Sequence, residues 1–279
     1  MILRMIKFLK YPIKIDIISD LHIDQWSTKY NIKYPCGEVV ERPFIFRETD
    51  ADYLIVAGDI SDTLGDSIEH LDAISKFYRK IFFVDGNHEH VHCHPDIYSR
   101  SSIKDHINNN NNDKIVFLPK TPYRIDDVII IGVNGWWDYD NETPVLINKN
   151  LSYFDEWIPH LTRQDNMTFI NSSIETAKNE ADYLEECLEK YSKDYSIRTI
   201  IIVTHTIPLM RFCNEERYET EFNSGFEKLL KYKKISHWIF GHTHEAWNEK
   251  YKGINFICNP RGRPEDHGVR DYSIKQIVI

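Results

Sequence analysis

Short apolar runs rich in β-branched residues recur along the chain, and most of them end in a polar cluster. Residues 13–19, 53–57, 81–84, 115–118, 128–133, 200–203, 238–240, 254–257 and 273–279 read as strands. Between them the period changes. Residues 66–80 carry Ile68, Leu71, Ile74, Phe77 and Tyr78 on one helical stripe, and residues 166–191 form the longest helical candidate. Strand signals alternating with helical ones predict an α/β (α+β) chain. Residues 108–112, a run of asparagines, predict a flexible loop tip. Residues 136–166 are rich in Trp, Tyr, Phe, Asp and Pro and are expected to form an insertion walling a site.

The polar clusters matter more than the strands. They are Asp20-Leu21-His22, Gly58-Asp59-Ile60-Ser61-Asp62, Gly86-Asn87-His88-Glu89, Thr204-His205 and Gly241-His242-Thr243-His244. Each follows a strand-like run, so each is expected just beyond a strand's C-terminal end, where loops of open α/β sheets converge. Together they offer carboxylates, imidazoles and one amide oxygen, with no thiolate. That mixture suits two hard-to-borderline divalent cations.

This ordered set, D-x-H, G-D-x-x-D, G-N-H-E, H and G-H-x-H, resembles the signature of the calcineurin-like metallophosphoesterases, over residues 13–261 or nearly the whole chain. The resemblance implies a two-sheet β-sandwich flanked by helices, the metallo-dependent phosphatase fold. It implies one metal held by Asp20, His22, Asp59 and His244, and a second held by Asp59, Asn87, His205 and His242, so that Asp59 bridges. A water or hydroxide between the ions would attack phosphorus. His88 would protonate the leaving oxygen or stabilise the transition state, and Asp62 would orient it through a hydrogen bond. Asp62 has an alternative reading as the N-cap of the following helix. Glu89 reads equally as a partner of the site or as a solvated acid. Arg261, in an Asn-Pro-Arg-Gly segment similar to one carried by many bacterial members, reads evenly as a phosphate ligand or a solvated surface arginine. His90, His92 and His94 are expected to be surface or supporting histidines rather than a third metal site. Of Trp136 and Trp137, at most one should face the site.

Composition narrows the picture. The chain has 279 residues, which allows one large domain or two small ones, and the motifs must share one site. A single domain over 1–279 is therefore expected, with 1–12 as an N-terminal extension. A net charge of -9, from 43 acidic and 34 basic residues, gives no hint of a nucleic-acid surface, although local binding stays open. Five scattered cysteines without a C-x-x-C favour a reducing compartment. No run is long enough for a signal h-region or a membrane span, so a cytoplasmic location and no membrane partner are expected.

The expected function is dinuclear metal-dependent hydrolysis of a small phosphate ester, by phosphodiesterase or phosphomonoesterase chemistry. Manganese is foremost among the metals, with iron, zinc, nickel or cobalt also compatible with this donor set. The arginines that follow G-D-x-x-D and G-N-H-E in the protein Ser/Thr phosphatases are absent here, where Thr63-Leu64 and His90-Val91 stand. The alternatives are a metal-dependent nuclease, or a non-catalytic scaffold that retains the fold. Substrate, native metal and oligomeric state are not specified by the sequence.

Overall fold

The computed structural model describes residues 12–26, 49–93, 96–141, 163–213, 222–264, 266 and 272–279. Residues 1–11 of the N-terminal extension, most of the 136–166 insertion, and Cys36, His94, His160 and His267 lie outside them.

Two sheets face each other. Among the described residues the first runs β11-β1-β2-β3-β4, from β1 (Lys14–Ile18), β2 (Tyr53–Ala57), β3 (Lys80–Val84), β4 (Ile115–Phe117) and β11 (Lys275–Val278). The second runs β5-β6-β7-β8-β10-β9, from β5 (Tyr123–Ile125), β6 (Val128–Gly132), β7 (Thr199–Val203), β8 (Ile235–Phe240), β9 (Trp247–Tyr251) and β10 (Ile254–Cys258). Strands β1 to β4 are parallel, as are β6, β7, β8 and β10, while β5, β9 and β11 are antiparallel edges.

The inner parallel strands are largely apolar because both faces of each sheet are covered there, whereas the antiparallel edges β5, β9 and β11 carry exposed polar residues. Alternate residues point to opposite faces. Ile15, Ile17, Ile55, Phe82, Ile130, Ile201, Val203, Ile239 and Ile257 fill the layer between the sheets. Their neighbours Ile18, Leu54, Val56, Ile81 and Phe83 pack outward against α1 (Leu64–Ile74) and α2 (Arg100–Asn109). On the far side Ile129, Ile200, Ile202 and Trp238 pack against α3 (Arg163–Lys193) and a 3-10 segment, Ser224–Lys231. The result is a two-sheet sandwich flanked by helices, as expected.

Some local expectations fail. The helix expected over 66–80 is α1, which ends at Ile74, followed by a short 3-10 turn. The Ser75 hydroxyl donates to the Asp72 carbonyl, and Tyr78 is extended so that its hydroxyl reaches the buried Asp16 carboxylate at 3.0 Å. The asparagine run is not a free tip. Asn108 and Asn109 close α2, and Asn112 bonds the Asp72 carboxylate, the Ser75 hydroxyl and the Lys114 amide. Cys93, Cys187 and Cys258 are free thiols. No helix among the described residues is long and apolar enough to cross a membrane.

Candidate metal centre and active site

The parallel strands deliver their polar clusters to one edge of the sandwich. Asp20 and His22 follow β1, Asp59 and Asp62 follow β2, and Asn87 and His88 follow β3. From the second sheet His205 follows β7, and His242 and His244 follow β8. The chain after β10 stitches the two sheets together at this edge. Ser19 N–H donates to the Asn259 carbonyl, Arg261 N–H to that of Ser19, and Gly262 N–H to that of Asp20.

The turns carrying these groups are strained. Asp20, His22, Asp59, His242 and His244 all hold positive φ, between 42° and 71°. Left-handed backbone outside glycine costs on the order of 1–3 kcal/mol per residue and concentrates at functional sites. Two glycines make the crowding possible. A Cβ at Gly58 would lie 2.6 Å from His205 Nδ1, and one at Gly86 would collide with Asp59 Oδ1.

Asp20, His22, Asp59 and His205 are sealed from solvent, with Asn87 and His88 nearly so. Three donor groups form there among the described residues, and one of them, His22, Asp62 and His88, lies at the rim. The other two share a residue. Asp20, His22, Asp59 and His244 make one, and Asp59, His205 and His242 make the other, so Asp59 belongs to both. His22 Nε2 and His244 Nε2 face each other at 3.0 Å, and His22 Nε2 lies 3.9 Å from Asp59 Oδ2. On the other side His205 Nε2 is 3.3 Å from Asp59 Oδ2, 2.9 Å from Asn87 Oδ1 and 3.2 Å from His242 Nδ1. Asp59 Oδ1 is already committed to the His88 N–H at 2.8 Å. Asp59 Oδ2 is therefore the point where the two sets meet.

Supporting bonds aim these donors. His205 Nδ1 donates to the Ala57 carbonyl at 2.8 Å, which turns its Nε2 inward. His244 Nδ1 bonds Asp266 Oδ2 at 2.7 Å and so presents Nε2. Asp20 Oδ1 accepts the His242 N–H at 2.8 Å, while its Oδ2 is buried without a hydrogen-bond partner. Burial opposes charge on both central groups, but their attraction prevails. Burial pushes Asp59 up, yet the imidazoles of His205, His88 and His22 hold its carboxyl well below the usual range. Burial likewise lowers His205, yet Asp59 and Asp20 raise it to about 10. Burial raises Asp20 and lowers His22. The set thus draws positive charge to its centre and offers inward imidazole and carboxylate donors, so it could hold divalent cations.

His88 stands at the rim of this centre. Its Nδ1 is 2.6 Å from Asp62 Oδ1, and its Nε2 is 3.9 Å from Asp59 Oδ2. Asp62 does not cap α1; that place belongs to Thr63, whose hydroxyl accepts the Asp66 N–H at 3.2 Å. Glu89 is buried. It accepts N–H groups of Asp59, Ile60 and Gly86 and the Ser67 hydroxyl, and so ties the β2 and β3 loops together. Trp137 stacks on His242 at 5.6 Å and 25°, while Trp136 turns toward His90, edge-on at 5.3 Å.

Arg261 is buried, with its guanidinium over the Trp26 ring at 4.1 Å. Burial lowers its pKa to about 10. Arg263, which the sequence does not single out, reaches the site instead: its Nη2 lies 3.0 Å from His88 Nε2. Asp266 is a second omission. The Arg-Gly-Arg spacing hints at Arg263, but only the turn at Gly262, with φ of 74°, shows which arginine faces the site. His90 and His92 do not share a side. They sit in a 3-10 turn, His88–Cys93, where a period of three separates them. His90 is buried and His92 exposed, and among the described residues neither belongs to a metal-capable cluster.

Comparison with known proteins agrees with this geometry. The family model for calcineurin-like phosphoesterases matches residues 13–246. Uncharacterized protein L509 of Acanthamoeba polyphaga mimivirus is 27% identical over 230 residues, covering 76% of this chain and 79% of that protein. A phosphopantetheinyl hydrolase from Mycobacterium tuberculosis has a similar structure, with a TM-score of 0.67 at 20% identity, covering 95% of both chains. A dimetal phosphatase from Danio rerio gives 0.56 at 14% identity, covering 95% of this chain and 92% of that one. At such identities the structural likeness speaks for the fold, whereas the family match spans most of the chain and includes every donor described above: the chain belongs to the calcineurin-like phosphoesterases.

Proposed function

We propose that the protein hydrolyses a small phosphate ester with two divalent cations. One cation would be held by Asp20, His22, Asp59 and His244, and the other by Asp59, Asn87, His205 and His242. The observation that carries this reading is the meeting of two donor sets at Asp59 Oδ2. When bound, the cations supply Lewis acidity toward phosphoryl oxygens and acidify water.

The chain's own groups do the rest. Asp62 accepts the Nδ1 proton of His88, so the imidazole is aimed at the centre through Nε2. From that position His88 delivers a proton to the departing ester oxygen. The strained, buried turns hold the donors in place before substrate arrives, so little reorganisation is needed at the moment of reaction. Complete donor and His88 positions favour an enzyme over a scaffold that kept only the fold.

The test is a panel of phosphomonoesters, phosphodiesters, cyclic nucleotides and a phosphopantetheinyl ester, assayed on Mn²⁺-loaded protein. Metal content is measured after gel filtration. Two ions per chain and hydrolysis of at least one ester class are expected. Asp59→Asn should remove most turnover and weaken both ions together, because one carboxylate serves both sets. His205→Ala should weaken chiefly one. A stoichiometry near one, or near-normal turnover of Asp59→Asn at limiting metal, would refute the assignment.

A further inference from the structure

Arg263 is a cation in an unusual position. Its Nη2 lies 3.0 Å from His88 Nε2, and that same nitrogen of His88 lies 3.9 Å from Asp59 Oδ2. Because His88 Nδ1 gives its proton to Asp62, Nε2 presents a lone pair and the guanidinium donates to it. Asp62, His88 and Arg263 thus form a line of hydrogen bonds that fixes the guanidinium at the rim of the donor centre.

Among the described residues no Asp or Glu oxygen lies within ion-pairing distance of the Arg263 guanidinium, although Asp266 is close enough to accept the Arg263 backbone N–H at 2.5 Å. That carboxylate is committed to His244 Nδ1 at 2.7 Å. Arg263 Nε is buried without a hydrogen-bond partner. A partly buried guanidinium normally finds an anion, because desolvating its donors without one is costly. Arg261, two residues earlier, shows the contrast: it is folded into the protein against Trp26.

Building on the phosphoesterase reading, we infer that Arg263 binds a non-bridging oxygen of the substrate's phosphoryl group. An ester whose phosphoryl group sits over Asp59 Oδ2 comes within reach of the guanidinium, with His88 Nε2 between them. The remaining N–H groups of the fork match the spacing of two phosphoryl oxygens. Before substrate arrives, Asp62 and His88 are the rest on which this clamp is positioned; a phosphoryl oxygen then takes over the guanidinium's bond, which frees Nε2 to carry the proton that His88 delivers. The Gly262 turn is what points Arg263, rather than Arg261, at the substrate.

The experiment uses full-length Mn²⁺-loaded protein and inorganic phosphate as the probe. Phosphate affinity is measured by calorimetry, and KM and kcat are measured on the best ester of the panel. Arg263→Ala should weaken phosphate binding and raise KM by about ten- to hundred-fold, the range for losing a charge-assisted hydrogen bond. Metal content and thermal unfolding should stay at wild-type values. Arg263→Lys keeps the charge without the fork, and should recover part of the affinity. Arg261→Lys should leave phosphate affinity unchanged. If wild type binds phosphate and turns over an ester while Arg263→Ala and Arg263→Lys do both equally well, the assignment of Arg263 is wrong and the phosphoesterase reading stands. Loss of metal in step with phosphate in both variants would likewise refute it, by making Arg263 a structural support. If wild type neither binds phosphate nor hydrolyses any ester, the functional reading itself falls, and the inference with it.

Discussion

His88 and His90 leave the same turn, two residues apart, and each is tied to a carboxylate. His88 Nδ1 is 2.6 Å from Asp62, and His90 Nε2 is 2.7 Å from Asp85. The second nitrogen separates them. That of His88 faces the donor centre and takes a bond from Arg263, which a ligand can replace. That of His90 accepts the Tyr98 backbone N–H at 2.9 Å, while its ring packs edge-on against Trp136. Asp85 is closed in the same way, with Asn134 Nδ2 at 3.3 Å. A carboxylate–imidazole pair is therefore not in itself a mark of catalysis. What the other nitrogen can still do decides whether the pair serves chemistry or holds a wall in place.

The largest effect should come from removing His88. His88→Ala should keep two metals and its unfolding temperature, yet lose about a hundred-fold or more in kcat on esters with alkyl or ribosyl leaving groups. The loss should shrink for a nitrophenolate, which departs without a proton. Rates on paired good and poor leaving groups measure this. Equal loss on both would make His88 a stabiliser of transition-state charge, and loss of a metal would make it a ligand.

His90→Ala should reverse the pattern. It leaves the buried Asp85 carboxylate without its imidazole and the Tyr98 N–H unpaired, and it opens space beside Trp136. Together these should destabilise the fold by roughly 2–4 kcal/mol. Urea unfolding reads that loss, while kcat per folded molecule stays within a few-fold of wild type. A stable His90→Ala with collapsed turnover would break the comparison and move His90 into the active site.

Much of the site is legible in the sequence because its residues are consecutive with strands. A buried parallel strand must be apolar, its loop need not be, and the switch marks the sheet edge; all five clusters lie at such switches. The rest depends on distant contacts or on weak local pattern. Asp266 serves His244 from 22 positions away, with no local signature. Helix α2 shows only Ile103 and Ile107 buried in an otherwise polar stretch. β9 is an edge strand of sequence WNEKY with no apolar run to announce it. Glu89 reads no differently from a solvated acid, because its partners are backbone N–H groups of another loop.

The finest division lies between Asp62 and Thr63, adjacent residues that could each have capped α1. Thr63 has the extended backbone of a cap, φ -120° and ψ 130°, and its hydroxyl takes the Asp66 N–H, so Thr63→Ala should cost about 1 kcal/mol and leave kcat unchanged. Asp62 is partly exposed and bonded to His88, so Asp62→Asn should change stability by no more than about 0.5 kcal/mol. It should nevertheless slow turnover of poor leaving groups by roughly ten-fold, since partners that orient an active imidazole carry effects of that order. The slowing should be weaker on nitrophenolate esters, a milder copy of His88→Ala. The amide of Asp62→Asn can still hydrogen-bond an imidazole, though without charge. The remaining activity therefore also reports how much of the effect is charge and how much is aim. Asp62→Asn that unfolds earlier yet turns over normally would return Asp62 to the helix, and would leave His88 no better supported than any imidazole at a loop edge.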